Sequence, residues 1–297
     1  MIRIDTKNIA SQLLSEKLFL HPSALTSYKM TVHQLLTGEI TSELEEKELK
    51  MTYLDAEAVE SALNSDGSPE EKSVAVIHVI GPIVKFGNRY FWGADEYEWM
   101  LDQAYADENI SAIILKMHTP GGMVCAMDTL AEVTKRRNKP VIACVSSMCF
   151  SAGVYWMVHC DEVHATNADI CQLGSIGVMS TITDDRKMLE NYGLKEIISI
   201  PPESRDKLDA HFKARDGDDS LLIQYELTPL AKHFQKVVKE NRPNLKVDTE
   251  RLLTGGEFFA GDAKEAGLID KIMPFTDTIA YAHKLAERND FENQFDV

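Results

Sequence analysis

Three β-branched apolar runs, separated by helix-length segments, constrain this chain more than any other feature of it. They are residues 73–80, closed by Gly81-Pro82, residues 111–118, and residues 140–145. Runs of this length, rich in Val and Ile and bounded by Gly or Pro, predict strands buried on both faces. The intervening residues 95–106 and 127–137 carry apolar positions at helical spacing. Strands alternating with helices predict βαβ units and a parallel α/β sheet, with functional groups in the loops at the strand ends.

Further elements follow from the same patterning. Residues 151–159 read as a helix, 162–165 and 195–200 as short strands, 261–266 as a helix and 268–272 as a closing strand. Residues 219–240 are helical in character, but Pro229 interrupts them. Thr228 as an N-cap with Pro229 at the first helical position predicts a kink, or a short helix followed by a second. Upstream, residues 8–20 and 42–63 predict helices, and Asn64-Ser65-Asp66-Gly67-Ser68-Pro69 is a linker signal. The expected organisation is a helical N-terminal extension over 1–70, an α/β domain over 71–275, and a C-terminal helix and tail over 276–297.

The 297 residues, 44% of them hydrophobic, suffice for a full core. The formal charge of −16 excludes a nucleic-acid-binding surface of clustered Lys and Arg. The first residues lack the apolar stretch of a secretory signal, and no run approaches the ~20 apolar residues of a membrane span, so a cytoplasmic location without a membrane span is expected. The five cysteines, Cys125, Cys144, Cys149, Cys160 and Cys171, form no CxxC pair. They predict buried thiols in a reducing compartment, with neither a metal nor a cofactor.

Three loops could carry chemistry. His118-Thr119-Pro120-Gly121-Gly122 follows a strand, and its glycines can turn their N–H groups toward a carbonyl oxygen or an anion. Ser151-Ala152-Gly153 follows another strand; its small residues allow a tight strand-to-helix turn that presents the Ser151 hydroxyl, although a serine there also suits an N-cap. Leu173-Gly174-Ser175-Ile176-Gly177 permits close backbone approach, with Ser175 able to donate or accept a hydrogen bond. A serine nucleophile needs a base. His118, His159 and His164 are candidates, as is a desolvated lysine, whose ammonium titrates nearer neutrality when burial disfavours its charge. Lys207 follows a predicted strand and could reach the same rim.

Taken in order, Val74 to Gly81, Ala112 to Gly122, Lys139-Pro140-Val141-Ile142-Ala143, Ser151-Ala152-Gly153, Asp161-Glu162-Val163, Gly174-Ser175-Ile176-Gly177-Val178 and Ala263-Lys264-Glu265-Ala266-Gly267-Leu268-Ile269-Asp270 resemble the signal-peptide-peptidase-A-like serine peptidases. That group includes the prohead, or capsid-maturation, proteases of tailed phages. The resemblance covers about residues 73–273 and implies a Clp-protease/crotonase-like α/β fold of repeated ββα units. It also implies peptide hydrolysis through a Ser/Lys dyad and an acyl-enzyme.

Position by position, Ser151 matches the nucleophile, Gly122 and the N–H of Ala152 the oxyanion hole, and Ser175 the serine that orients the lysine. Gly121 and Gly174 then line the substrate path. Tyr155 stands one place beyond the position where the family carries its aromatic residue, which Val154 fills; anchoring on Asp161 keeps Ser151 in register. Ungapped matching from Gly193 lands on Arg205, whose pKa above ~12 bars it as a base near neutrality. A two-residue insertion brings Lys207 into place, and Lys213 is a more distant choice. The resemblance further implies a polypeptide substrate and a ring or dome of identical subunits. In a phage setting the partners would be scaffold, portal or capsid proteins in the host cytoplasm or the procapsid. A signal-peptide-degrading enzyme, an inactive assembly relative and a crotonase-type acyl-CoA enzyme are the alternatives.

Overall fold

The computed structural model describes residues 18–20, 51–54, 72–87 and 92–293. In chain order the principal elements are β1 (Leu18–Leu20), β2 (Thr52–Leu54), β3 (Ser73–Ile80), α1 (Ala94–Ala106), β4 (Ile110–Thr119), β5 (Gly121–Met123), α2 (Met127–Lys135), β6 (Val141–Phe150), α3 (Ala152–Met157), β7 (Glu162–Ala165) and β8 (Gln172–Gly174). Then follow α4 (Arg186–Asn191), α5 (Asp209–Arg215), α6 (Ser220–Leu222), α7 (Thr228–Asn241), β9 (Glu257–Phe259), α8 (Ala260–Glu265), β10 (Lys271–Ile272) and α9 (Phe275–Asn293).

The three apolar runs are the central strands of an eight-stranded sheet, in the order β10-β7-β6-β4-β3-β2, with β8 on the far end of β6 and β9 beside it. β3, β4, β6, β7 and β10 run parallel, while β2 is antiparallel to β3. Strand alternation divides their side chains between two buried faces. Ala75, Ile77, Val79, Ile113, Leu115, Val141 and Ala143 meet α1, α2 and α3 through Tyr97, Leu101, Leu130 and Trp156. Val74, Val76, Ala112, Ile114, Ile142 and Cys144 meet Ile279, Ala282, Leu285 and Ala286 of α9. The C-terminal helix is therefore the cover of the second sheet face. Because both faces need a cover, the strands read as continuous apolar runs rather than alternating ones.

Two acidic residues fix the strand starts. Asp161 Oδ2 accepts from Val141 N–H at 2.8 Å, and Asp270 Oδ2 accepts from Val163 N–H at 2.7 Å. Each also holds an arginine, Arg137 on Asp161 and Arg242 on Asp270. The Asp161-Glu162-Val163 and Ile269-Asp270 motifs thus carry register.

Several expectations change. Leu18–Leu20 and Thr52–Leu54 are strands, not parts of helices, because each finds an unfilled strand edge, at β5 and β3 respectively. Everything else expected over residues 1–70 lies outside the described residues. Residues 195–200 form no strand and are exposed. Thr228 caps nothing: α6 passes through a π-turn at Ile223–Leu227 straight into α7. The wider turn accommodates Pro229, which brings no N–H and needs room for its ring.

Candidate active site

The carboxyl ends of β4, β6 and β8 converge on Ser151. It sits between β6 and α3 at φ 52° and ψ −109°, a backbone conformation that costs a non-glycine residue about 1–3 kcal/mol. The surroundings hold it there. Ser151 N–H donates to Gly174 O at 2.9 Å, and its hydroxyl donates to Gly177 O at 3.3 Å. The residue is 1% exposed. A sharp turn of this kind at a strand-to-helix junction presents a hydroxyl at the top of a sheet.

The small residues after Ser151 have a steric cause. A Cβ on Gly153 would lie 2.5 Å from Thr119 Cγ2 and 2.8 Å from Cys149 Sγ, so only glycine lets α3 close against the end of β4. Val154 is fully buried. Tyr155 instead reaches toward α7, its hydroxyl 3.0 Å from His233 Nε2 and its ring 5.3 Å from Phe234. The aromatic one place beyond the family position is thus the dock for α7.

The Pro120-Gly121-Gly122 segment is more than a turn. Gly121 begins β5 at φ 103°, and its N–H is held by Thr119 Oγ1 at 3.1 Å. Ile83 braces one edge of β5: Ile83 N–H donates to Gly121 O at 2.9 Å and Met123 N–H to Ile83 O at 2.8 Å. A Cβ on Gly122 would stand 1.9 Å from Ile83 O, so this approach also requires glycine. In the first turn of α3, the N–H of Ala152 has no i−4 carbonyl inside the helix to bond.

Gly174 at φ 127° and Ser175 at φ 56° wrap the other side of Ser151, with Ser175 N–H donating to Gly256 O at 2.8 Å. A Cβ on Gly174 would meet Gly256 O at 2.3 Å. Sequence reasoning missed Ile83 and Gly256, and named Gly177 only as part of its loop. The Gly255-Gly256 pair was the visible signal for Gly256, since adjacent glycines often mark close backbone approach.

The structure brings Ser151, Ala152, Gly121, Gly122, Gly174 and Ser175 into one neighbourhood, but not Lys207. That lysine is exposed, in a turn before α5 where its N–H donates to Ser204 O at 2.8 Å. Among the described residues no amine hydrogen-bonds to Ser151 Oγ. Arg205 pairs loosely with Asp206 at 3.8 Å, and Lys213 pairs with Asp209 at 2.8 Å.

The histidines do not fill the gap. His164 is fully buried and bonded to Glu162 Oε2 and Thr278 Oγ1 beneath α9. His159 is 4% exposed, and burial, helped by the charge of Lys135, lowers its pKa to about 4. His118 is half-buried and not bonded to Ser151. Four cysteines, Cys144, Cys149, Cys160 and Cys171, are buried free thiols; burial pushes Cys144 up to about 11, Cys160 up to about 12 and Cys149 up as well, so these three are inert. Cys125 is exposed.

Parallel strands whose carboxyl ends carry a strained serine turn and a braced glycine strand, with helices over both sheet faces, define an α/β protein with its candidate nucleophile at the carboxyl edge of the sheet. The chain belongs to peptidase family S49, whose family model matches residues 133–289. It is 24% identical over 219 residues to Protease 4 of Haemophilus influenzae, an alignment covering 72% of this chain and 35% of that protein. It is 28% identical over 291 residues to Capsid assembly protease C of Escherichia phage lambda, covering 92% of this chain and 64% of the relative. The chain thus spans about a third of the length of the first relative and just under two thirds of the second. Among solved structures, the 1510-N membrane protease specific for a stomatin homolog from Pyrococcus horikoshii aligns at 15% identity and a TM-score of 0.44, over 70% of this chain and 77% of that one. Among the described residues no helix is long and apolar enough to cross a membrane.

Proposed function

We propose that this chain is a serine endopeptidase in which Ser151 is the nucleophile and Lys207 the general base. The observation that carries the reading is the strained turn at Ser151, a kind of backbone conformation that clusters at active sites. In the proposed reaction the neutral Lys207 amine takes the Ser151 proton while Oγ attacks the peptide carbonyl. The N–H groups of Gly122 and Ala152 hold the developing oxyanion, each donor contributing ~10²-fold or more in rate. The lysine ammonium then protonates the departing amine, and water, deprotonated by the same lysine, hydrolyses the acyl-enzyme. Ser175 orients the amine, while Gly121 and Gly174 border the peptide.

Lys207 must travel to play this part, and its surroundings favour movement. Residues 191–208 are exposed throughout, including Tyr192 at 77%, Ile197 at 80% and Leu208 at 59%. Apolar side chains so placed call for a cover. We assign that cover to a second copy of the chain in a homo-oligomer, whose formation orders the segment and brings an amine to Ser151. The alignment along nearly the whole of this chain with a capsid assembly protease supports phage head proteins, scaffold, portal or capsid, as substrates. It also supports the host cytoplasm or procapsid as the location, with residues 71–275 as the peptidase domain. An inactive assembly role is the second reading, and the exposure of Lys207, with no amine among the described residues bonded to Ser151, favours it.

The test is labelling by a fluorophosphonate probe together with cleavage of a peptide library. Ser151→Ala should abolish both while leaving the unfolding transition in place. Lys207→Ala should abolish both, and Lys207→Arg should fail to restore them. Probe labelling absent from the unsubstituted, assembled chain would hand the case to the inactive reading.

A further inference from the structure

The edge of β5 that faces away from Ile83 is occupied by the chain itself. Gly121 C=O and Met123 N–H are committed to Ile83. Successive residues of a strand point their backbone groups to opposite edges, so the N–H and C=O of Gly122 face the other way, toward β1. There Leu18 lies opposite Met123, Phe19 opposite Gly122 and Leu20 opposite Gly121, in antiparallel register. The residue opposite such a pair of groups exchanges both hydrogen bonds with it. Phe19 therefore presents its carbonyl to Gly122 N–H and its own N–H to Gly122 C=O.

That pairing does more than cover an edge strand. Gly122 N–H is the oxyanion donor in the peptidase reading, so a carbonyl resting on it stands where the scissile carbonyl of a substrate has to stand. We propose that Leu18–Leu20 is an intramolecular occupant of the peptide-binding edge, displaced when an extended peptide adds to β5 in the same register. The inference deepens the peptidase reading and rests on it. With no amine among the described residues bonded to Ser151 in this arrangement, Leu18–Leu20 is held rather than cut. A tethered strand competes at a high effective concentration, so any substrate meets a site of which only a fraction is open, and its apparent affinity falls by that fraction. An extended, strand-forming segment is the substrate class the edge accepts.

The test uses the full chain carrying Ser151→Ala, so that no hydrolysis intervenes, with a fluorescent peptide of residues 14–24 as the probe. Phe19→Pro removes the N–H that bonds Gly122 C=O and should open the edge. The probe should then bind about tenfold more tightly, the equivalent of one hydrogen bond at the upper end of its usual net contribution. Hydrogen exchange over residues 119–124 should be slow in the unsubstituted chain, faster with Phe19→Pro, and slow again on saturation with the peptide. Equal affinity in the two chains, or fast exchange in the unsubstituted chain, would overturn the proposal; the exchange result needs no variant to fold. Failure of the peptidase reading looks different. It is absence of fluorophosphonate labelling in a separate Phe19→Pro chain that keeps Ser151, and both binding readouts stand apart from it.

Discussion

Gly153→Ala tests the link between core packing and the site most directly. A methyl at this position would meet Thr119 Cγ2 at 2.5 Å and Cys149 Sγ at 2.8 Å. Ordinary carbon contacts lie at about 3.5–4.0 Å, so the neighbours or the helix must give by roughly 1 Å. Neither neighbour can retreat: Thr119 and Cys149 are register partners on adjacent parallel strands, and both are fully buried.

Two effects oppose each other. Alanine gains about 1 kcal/mol over glycine in a helix, whereas overpacking a close-packed core costs about 1–3 kcal/mol. With two simultaneous clashes the steric cost should win, leaving a net loss of about 1–2 kcal/mol. If instead α3 moves outward, Ser151 moves with it, and a misplacement of about 1 Å at a reacting group costs on the order of 10²-fold in rate. Urea unfolding and the rate of fluorophosphonate labelling at Ser151 measure the two effects separately. Thr119→Ser removes the Cγ2 methyl and keeps the hydroxyl that accepts from Gly121 N–H, so the double variant should recover part of both losses. A Gly153→Ala chain of undiminished stability and labelling rate would refute the claim that this glycine sets the position of the serine turn.

Other consequences can be checked alongside. Ile279 is 1% exposed in the core beneath α9, so Ile279→Ala should cost about 2–4 kcal/mol in urea unfolding, with an unchanged m-value. Burial alone would raise the Glu162 carboxyl, but bonds from His164, Lys271 and Tyr281 hold it down at about 2. A depressed carboxylate contributes stability that is complete above its unfolded pKa of about 4.3 and is lost as pH falls from there through 2. Glu162→Gln should therefore lower stability at neutral pH and flatten the acid limb of the stability curve; a parallel acid limb in the variant would count against this network.

How much of the site was legible in the letters can be judged residue by residue. The runs at Ser73–Ile80, Ile110–Thr119 and Val141–Phe150 were readable because a strand buried on both faces has to be apolar without a break, which is a local property. Ser151-Ala152-Gly153 and Pro120-Gly121-Gly122 were readable for a related reason: each brings backbone within van der Waals reach of a neighbour, and glycine alone permits that. Leu18–Leu20 resisted, since three apolar residues suit a helix face or a strand equally, and the unfilled edge of β5 lies about a hundred residues away in sequence.

Sequence alone determined the alternation of strands and helices, the parallel sheet and the three loops at its carboxyl ends. Tertiary structure decided that Ile83 braces Gly122, that Gly177 accepts the Ser151 hydroxyl, that α9 rather than a separate unit covers the second sheet face, and that Lys207 stands in exposed chain. The division has a physical cause. Propensity and periodicity are set by neighbours within a few positions, whereas the reach of an amine to a hydroxyl is set by how distant segments pack, which the residues around Lys207 do not encode.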